Sequence, residues 1–231
     1  MNQDIFGILV DLAKSGEKMT FYNTYKSMPV CFEAEIIKIS HGTVSFKVHK
    51  YQALCIKKSG FTIIRHPFLP KAILAKVVNI DFTQMIVGLY DFQYLTSPAG
   101  NRQSVRVEPE KPFGVFLKNG NAANAFALDI SESGLGVSIK KQLYLPAAFG
   151  QDKLIVMEFR YPNMPRLVTK MKGIVTNVVD DYSEDNLRLG IHMYPDKESQ
   201  QMIADYVKKR QAEILDELES FNRLVQMKTS P

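Results

Sequence analysis

The apolar positions of this chain recur with two different periods, and the changes between them divide it. Residues 3–14 (QDIFGILVDLAK) carry Ile5, Ile8, Leu9 and Leu12 at helical spacing, and Ser15-Gly16 follows as a stop. The period then becomes two. Residues 32–39 (FEAEIIKI) and 43–48 (TVSFKV) alternate on either side of a His41-Gly42 turn, and strand-like runs recur at 61–65, 73–80 and 84–92. Short strands at regular intervals predict a small antiparallel barrel.

Residues 97–101 (SPAGN) break the pattern with turn and linker chemistry. Strand-like runs resume at 113–117, 124–130, 135–140, 154–160, 167–180 and 187–193 and predict a second all-β domain. Pro195-Asp196 then opens a helix with Asp196 or Ser199 as N-cap. Ile203, Val207, Ile214, Leu218, Phe221 and Val225 form its apolar stripe. The expected organisation is an N-terminal barrel with a short leading helix (1–96), a linker or strap (97–106), a second barrel (107–195) and a C-terminal helix (196–231). The fold class is mainly β, two small antiparallel barrels with a long C-terminal α-helix.

Composition narrows the function. The 231 residues are 45% hydrophobic and 23% charged, enough apolar material for two cores. The net charge of +5 is spread thinly: Lys+Arg against Asp+Glu is 11 to 7 in residues 1–96, 12 to 10 in 97–195 and 6 to 7 in 196–231. Such a balance suits a small anionic ligand and lacks the dense basic stripe of a nucleic-acid-binding protein. Cys31 and Cys55 are too few for a disulfide framework, and no metal spacing surrounds them. The first residues, Met-Asn-Gln-Asp-Ile-Phe, have no basic n-region, and no run of about 18 apolar residues occurs. A cytoplasmic protein without membrane insertion is expected.

Two local signals carry chemistry. The first is Arg102-Gln103-Ser104-Val105-Arg106, directly after the linker. In an extended chain residues four apart share a face, roughly 13 Å apart at about 3.3 Å per residue, so both guanidiniums would project from one side of a strap. The second is Asp129-Ile130-Ser131-Glu132-Ser133-Gly134, between two apolar runs. Strict alternation puts Phe126, Leu128 and Ile130 on one face and Ala127, Asp129 and Ser131 on the other, so Asp129 and Ser131 point away from the core together. Gly134 closes the turn, where a positive φ is expected. Arginine forks fit phosphate oxygens and the O6/N7 edge of guanine, and a carboxylate accepts from the guanine N1–H and amino group. A small guanine-containing phosphate answers both signals better than a metal or a sugar.

R-x-x-x-R at the start of a domain, followed some twenty residues later by D-x-S-x-x-G between strands, resembles the PilZ family, whose members are six-stranded β-barrels that bind cyclic di-GMP. The run Leu187-Arg188-Leu189-Gly190-Ile191 looks like the last strand of that family. The resemblance covers residues 100–195. It implies that Arg102 and Arg106 contact guanine Hoogsteen edges and phosphates, that Asp129 and Ser131 contact the other guanine groups, and that Gly134 lets the turn approach the ligand. Asn101 precedes the first arginine, and whether one ligand or a stacked pair binds stays open. A preceding barrel joined by a strap that carries the arginines is similar to two-domain flagellar-brake proteins. That implies a split-barrel-like N-terminal domain, a ligand-driven change in the angle between barrels, and an output to motility or another surface behaviour. The partner would be a flagellar motor or other regulatory protein, with association at the flagellar basal body, and the chain would be a monomer or weak dimer.

Two competing expectations are a ligand-independent adaptor of the same family and an RNA- or DNA-binding barrel, for which Phe46-Lys47 and Tyr51 are the nearest signal. An enzyme is not expected, since no nucleophile–base pair, P-loop or metal cluster appears. His41, His49, His66 and His192 show neither metal nor triad spacing, and Asp180-Asp181 with Glu184-Asp185 reads as a solvated acidic turn. No cofactor is implied beyond the ligand.

Overall fold

The period-two segments pair into two six-stranded antiparallel sheets, each closed on itself. The structure is a computed structural model that describes residues 5–96, 104–161, 164–181 and 185–229. In chain order its elements are α1 (Ile5–Ser15), β1 (Met19–Tyr25), β2 (Met28–Ser40), β3 (Thr43–Lys47), α2 (Lys50–Ser59), β4 (Phe61–Arg65), β5 (Ile73–Asp81) and β6 (Ile86–Tyr94). Next come β7 (Gly114–Asn119), β8 (Asn121–Ile130), β9 (Gly134–Lys140), α3 (Pro146–Phe149), β10 (Leu154–Tyr161), β11 (Met164–Asp181), β12 (Asn186–Tyr194) and α4 (Lys197–Thr229). The first barrel runs β1-β2-β3-β6-β5-β4 and the second β10-β11-β12-β9-β8-β7. Two compact units result: Met1–Tyr25 with Pro29–Arg102 and Ile214–Pro231, and Lys26–Met28 with Gln103–Glu213.

In the first unit, alternation buries Met19 and Phe21 from β1, Val44 and Phe46 from β3, and Val87 and Leu89 from β6. The Phe21 and Phe46 rings meet edge to face at 4.9 Å. Leu9 and Leu12 of α1 join this cluster, so the leading helix packs its apolar face into the same core. Gly16, at φ +69°, ends that helix in the left-handed conformation that glycine adopts without steric cost.

Helix α2 was not foreseen from the sequence. Ten residues are too short to display a helical period between strands. Its boundaries are set by caps: the His49 ring accepts from Tyr51 N–H, and Gly60, at φ +77°, donates back to the Ile56 carbonyl. A buried polar network ties it to the barrel, with Asn23 donating to the Phe61 carbonyl at 2.7 Å and accepting from Thr62 at 2.7 Å and from Gln52.

In α4 the Asp196 carboxylate accepts the Ser199 N–H at 2.8 Å, an N-cap bond. Ile203, Val207, Arg210, Ile214, Leu218 and Asn222 are buried. Arg210 and Asn222 therefore hold stripe positions that a purely apolar pattern misses, whereas Phe221 is 40% exposed. Arg210 enters because its guanidinium donates to the Glu108 carbonyl at 2.9 Å and pairs with Glu213.

Within the first unit the distal part of α4 is tied by charge. Lys50 Nζ lies 2.6 Å and Tyr51 Oη 2.7 Å from Glu219 Oε2, both donating. The Lys50 bond first, then the Tyr51 bond, hold the Glu219 carboxyl below the ordinary glutamate value. A depressed folded value contributes stability above the ordinary value and loses it as pH falls through the depressed one. The melting temperature of Glu219→Gln should therefore lie below that of the parent at pH 6–8, and the gap should close below about pH 4. A gap undiminished at pH 3 would contradict this assignment.

Candidate functional site

The site is built at one register error in the second barrel. Along β8 the alternation buries Ala123, Ala125 and Ala127 and leaves Phe126 57% exposed. That reverses the sequence-based assignment of Phe126 and Ala127. Small residues face the interior because Val115, Leu117, Val137 and Ile139 fill it from the neighbouring strands. Between Ala127 and Asp129 the pairing with β9 slips by one: Ala127 pairs with Val137, but Asp129 pairs with Gly136. Leu128 is the extra residue of a β-bulge, which re-aims the chain beyond it. Ile130 turns into the core, and Asp129 faces outward over Gly136.

Outward does not mean solvated. Asp129 and Ser131 are each 1% exposed, so pointing away from the barrel core does not place them in solvent. A cover is supplied by the segment before β7. Val107 bridges Ile130 through reciprocal backbone bonds of 2.9 and 3.0 Å and is itself fully buried. This fixes Arg106 beside Asp129. Ser104 Oγ and Ser133 Oγ, 3.3 Å apart, add a second tie between the segment and the turn.

Two guanidiniums share the Asp129 carboxylate. Arg106 Nη1 donates to Oδ1 at 3.2 Å, and Arg188 Nη2 donates to Oδ2. An ionised carboxylate buried without partners would cost several kcal/mol. Pairing each oxygen with a cation offsets that cost, although side-chain exposures of 28% for Arg106 and 48% for Arg188 mean that water still competes. The Arg188 bond crosses an intervening strand, since Arg188 lies on β12, Asp129 on β8, and β9 between them. Neighbouring strands are about 4.8 Å apart, so this contact spans roughly 10 Å of sheet. Gly136 leaves the room: a Cβ there would lie 2.8 Å from Asp129 Oδ2 and 2.9 Å from its Cγ and Oδ1.

The turn carries the remaining residues. Ser131 N–H donates to the Gly134 carbonyl at 2.8 Å, and Ser131 Oγ to the same oxygen at 3.2 Å. Gly134 does not have the positive φ expected of it; among the described residues the positive-φ glycines are Gly16, Gly42, Gly60 and Gly120. What Gly134 provides is space, because a Cβ would come within 3.3 Å of Ser131 Oγ and 3.7 Å of Arg106 Nη2. Beside this cluster lies a cleft of about 370 Å³, lined in part by Glu108, Pro109, Pro112, Ala127, Leu128, Asp129 and Arg188.

Of the residues singled out from the sequence, Arg106, Asp129, Ser131 and Gly134 come together here, and Arg102 lies outside the described residues. Arg188 and Gly136 were not assigned a role in advance. Alternation along 187–191 places Arg188 on an outward face, but no spacing links it to an aspartate 59 residues earlier. A carboxylate bracketed by arginine forks beside an open cleft is equipped to bind an anion that also offers N–H donors. Among the described residues no group of three or more His, Cys, Asp or Glu could hold a metal ion, and no helix is long and apolar enough to cross a membrane.

No family model matches the chain. Two uncharacterized proteins of Aquifex aeolicus (strain VF5) are similar to it. One is 31% identical over 118 residues, 51% of this chain, which spans about half (53%) of that relative's length. The other is 26% identical over 229 residues, covering 91% of this chain and 94% of the relative. Among solved structures, YcgR in complex with c-di-GMP from Escherichia coli has a TM-score of 0.46 at 10% identity, covering 94% of this chain and 93% of that one. The MrkH–c-di-GMP complex of K. pneumonia has a TM-score of 0.46 at 12% identity, covering 91% and 94%. The PilZ domain with c-di-GMP of E. coli YcgR has a TM-score of 0.41 at 13% identity, covering 52% of this chain and 98% of that domain.

Proposed function

We propose that this chain is a cyclic di-GMP receptor of PilZ type, with its ligand site on the second barrel. The observation that carries the reading is the convergence of both halves of the motif. Arg106 from the covering segment touches Asp129 from D-x-S-x-x-G at 3.2 Å, and Gly134 stands beside Ser131 and Arg106. Twenty-three residues of chain separate the two halves, and sequence proximity does not bring them together.

In this reading Arg106 and Arg102 take the phosphates and the guanine O6/N7 edge. Asp129 accepts from guanine N1–H and the amino group, and Ser131 stands beside it at the turn. The guanidinium carries five N–H donors, and its bond to Asp129 Oδ1 engages one, so pairing within the protein leaves the fork suited to a ligand. The ligand meets a mild positive excess in residues 97–195, where 12 Lys+Arg face 10 Asp+Glu. Binding is then converted into a rearrangement of the two barrels and passed to a protein partner, with motility or another surface behaviour as the output. A receptor for this nucleotide works in the cytoplasm, where the nucleotide is made. The role is that of a binding module and not of an enzyme.

Isothermal titration of the full chain with cyclic di-GMP tests the reading. Saturable heat with one or two ligands per chain is the expected result, with little competition from GMP. No heat from a chain that melts cooperatively would overturn it and leave the adaptor reading.

A further inference from the structure

We infer that Arg188 is a positioning residue of the ligand site, holding Asp129 in place and in charge balance when Arg106 turns from it to the ligand. The inference rests on the reading of Arg106 and Asp129 as ligand contacts. The two arginines pair with the same carboxylate but are anchored differently. Arg188 sits inside β12, laddered on one side to Val179 of β11 and on the other to Ser138 of β9. The segment carrying Arg106 forms no such two-sided ladder: among the described residues it is tied to the barrel at isolated points, the Val107–Ile130 bridge, the Ser104–Ser133 contact and the Phe113 carbonyl that accepts from Ala127 N–H. Arg188 is therefore the partner held by ladders on both sides, and Arg106 the less firmly held of the two.

Without Arg188, the reorientation of Arg106 toward a phosphate would strand a carboxylate that is 1% exposed. With Arg188 on Oδ2, the carboxylate keeps a cation, its outward direction and its position over Gly136. It then meets guanine as a fixed acceptor. The ligand also gains from this, because an acceptor held before binding loses less side-chain freedom on binding.

The test uses Arg188→Met, Arg188→Lys and the double variant Arg106→Met/Arg188→Met. In ligand-free protein Arg188→Met should melt within a few degrees of the parent, since Arg106 still pairs with Asp129. Its affinity for cyclic di-GMP should fall about 30-fold. Arg188→Lys, which keeps a cation on β12, should recover most of that loss. Unchanged affinity in Arg188→Met overturns the inference, as does a melting temperature that collapses in step with affinity or a failure of lysine to rescue. If the parent chain itself binds no cyclic di-GMP, the ligand reading fails. The shared hold on Asp129 is then judged by the ligand-free double variant, which should lose more stability than the two single variants combined, and a strictly additive loss would overturn that as well.

Discussion

Asp129→Ala should abolish measurable cyclic di-GMP binding, a loss of at least about 100-fold, in a protein that still folds. The carboxylate is the one acceptor that both arginines address, and it is the group placed to accept from the guanine N1–H and amino donors. Removing it leaves Arg106 and Arg188 side by side with no anion between them. Exposures of 28% and 48% let water re-solvate both, so the stability loss should stay within about 1–2 kcal/mol. Asp129→Asn separates charge from shape. It keeps the volume but turns an N–H₂ group toward donors, so its affinity should fall nearly as far. Titration calorimetry with a parallel melting curve reads both effects. Binding by Asp129→Ala at the parental affinity would remove this carboxylate from the site.

Gly136→Ala should damage the site without touching a charge. Its Cβ would stand 2.8–2.9 Å from three atoms of the Asp129 carboxyl group, closer than carbon and oxygen can approach. The carboxylate must move, and moving it breaks the geometry shared with Arg106 and Arg188. A loss of about 1–3 kcal/mol in urea unfolding is expected, together with weakened ligand binding. Gly134→Ala is the control. Its nearest contact, 3.3 Å to Ser131 Oγ, asks for a shift of a few tenths of an ångström, and its cost should be smaller. Neither glycine has a positive φ, so the difference reports space and not backbone strain. Equal losses at the two positions would refute the account.

The sheet architecture was legible because it follows from alternation, which both barrels display along most strands. Each of the six runs marked in residues 113–193 overlaps one of the six strands of the second barrel. The first barrel was less fully marked: β1 and α2 went unassigned. The face of β8 was misread at Phe126 and Ala127 because the bulge at Leu128 changes the parity between them and Ile130, so strict alternation that puts Ile130 in the core puts both on the wrong face. The pairing of Arg188 with Asp129 was invisible for a different reason: it depends on strand order, in which β12 and β8 flank β9. The buried polar face of α4 follows the same rule, since Arg210 is inside only because the Glu108 carbonyl is there to meet it.

Closure of the two sheets also limits how a partner could recognise this protein. A closed barrel has no terminal strand, so its ladder amides and carbonyls face one another around the ring. Partners that dock by adding a strand to a sheet margin, as many peptide-binding modules require, find no such margin in either ring. Exposed side chains offer an alternative: the rings of Phe116 and Phe126, or Glu132 in the turn before β9. The same closure guards against edge-to-edge association, so side chains on the barrel faces can change with little risk of strand-mediated aggregation.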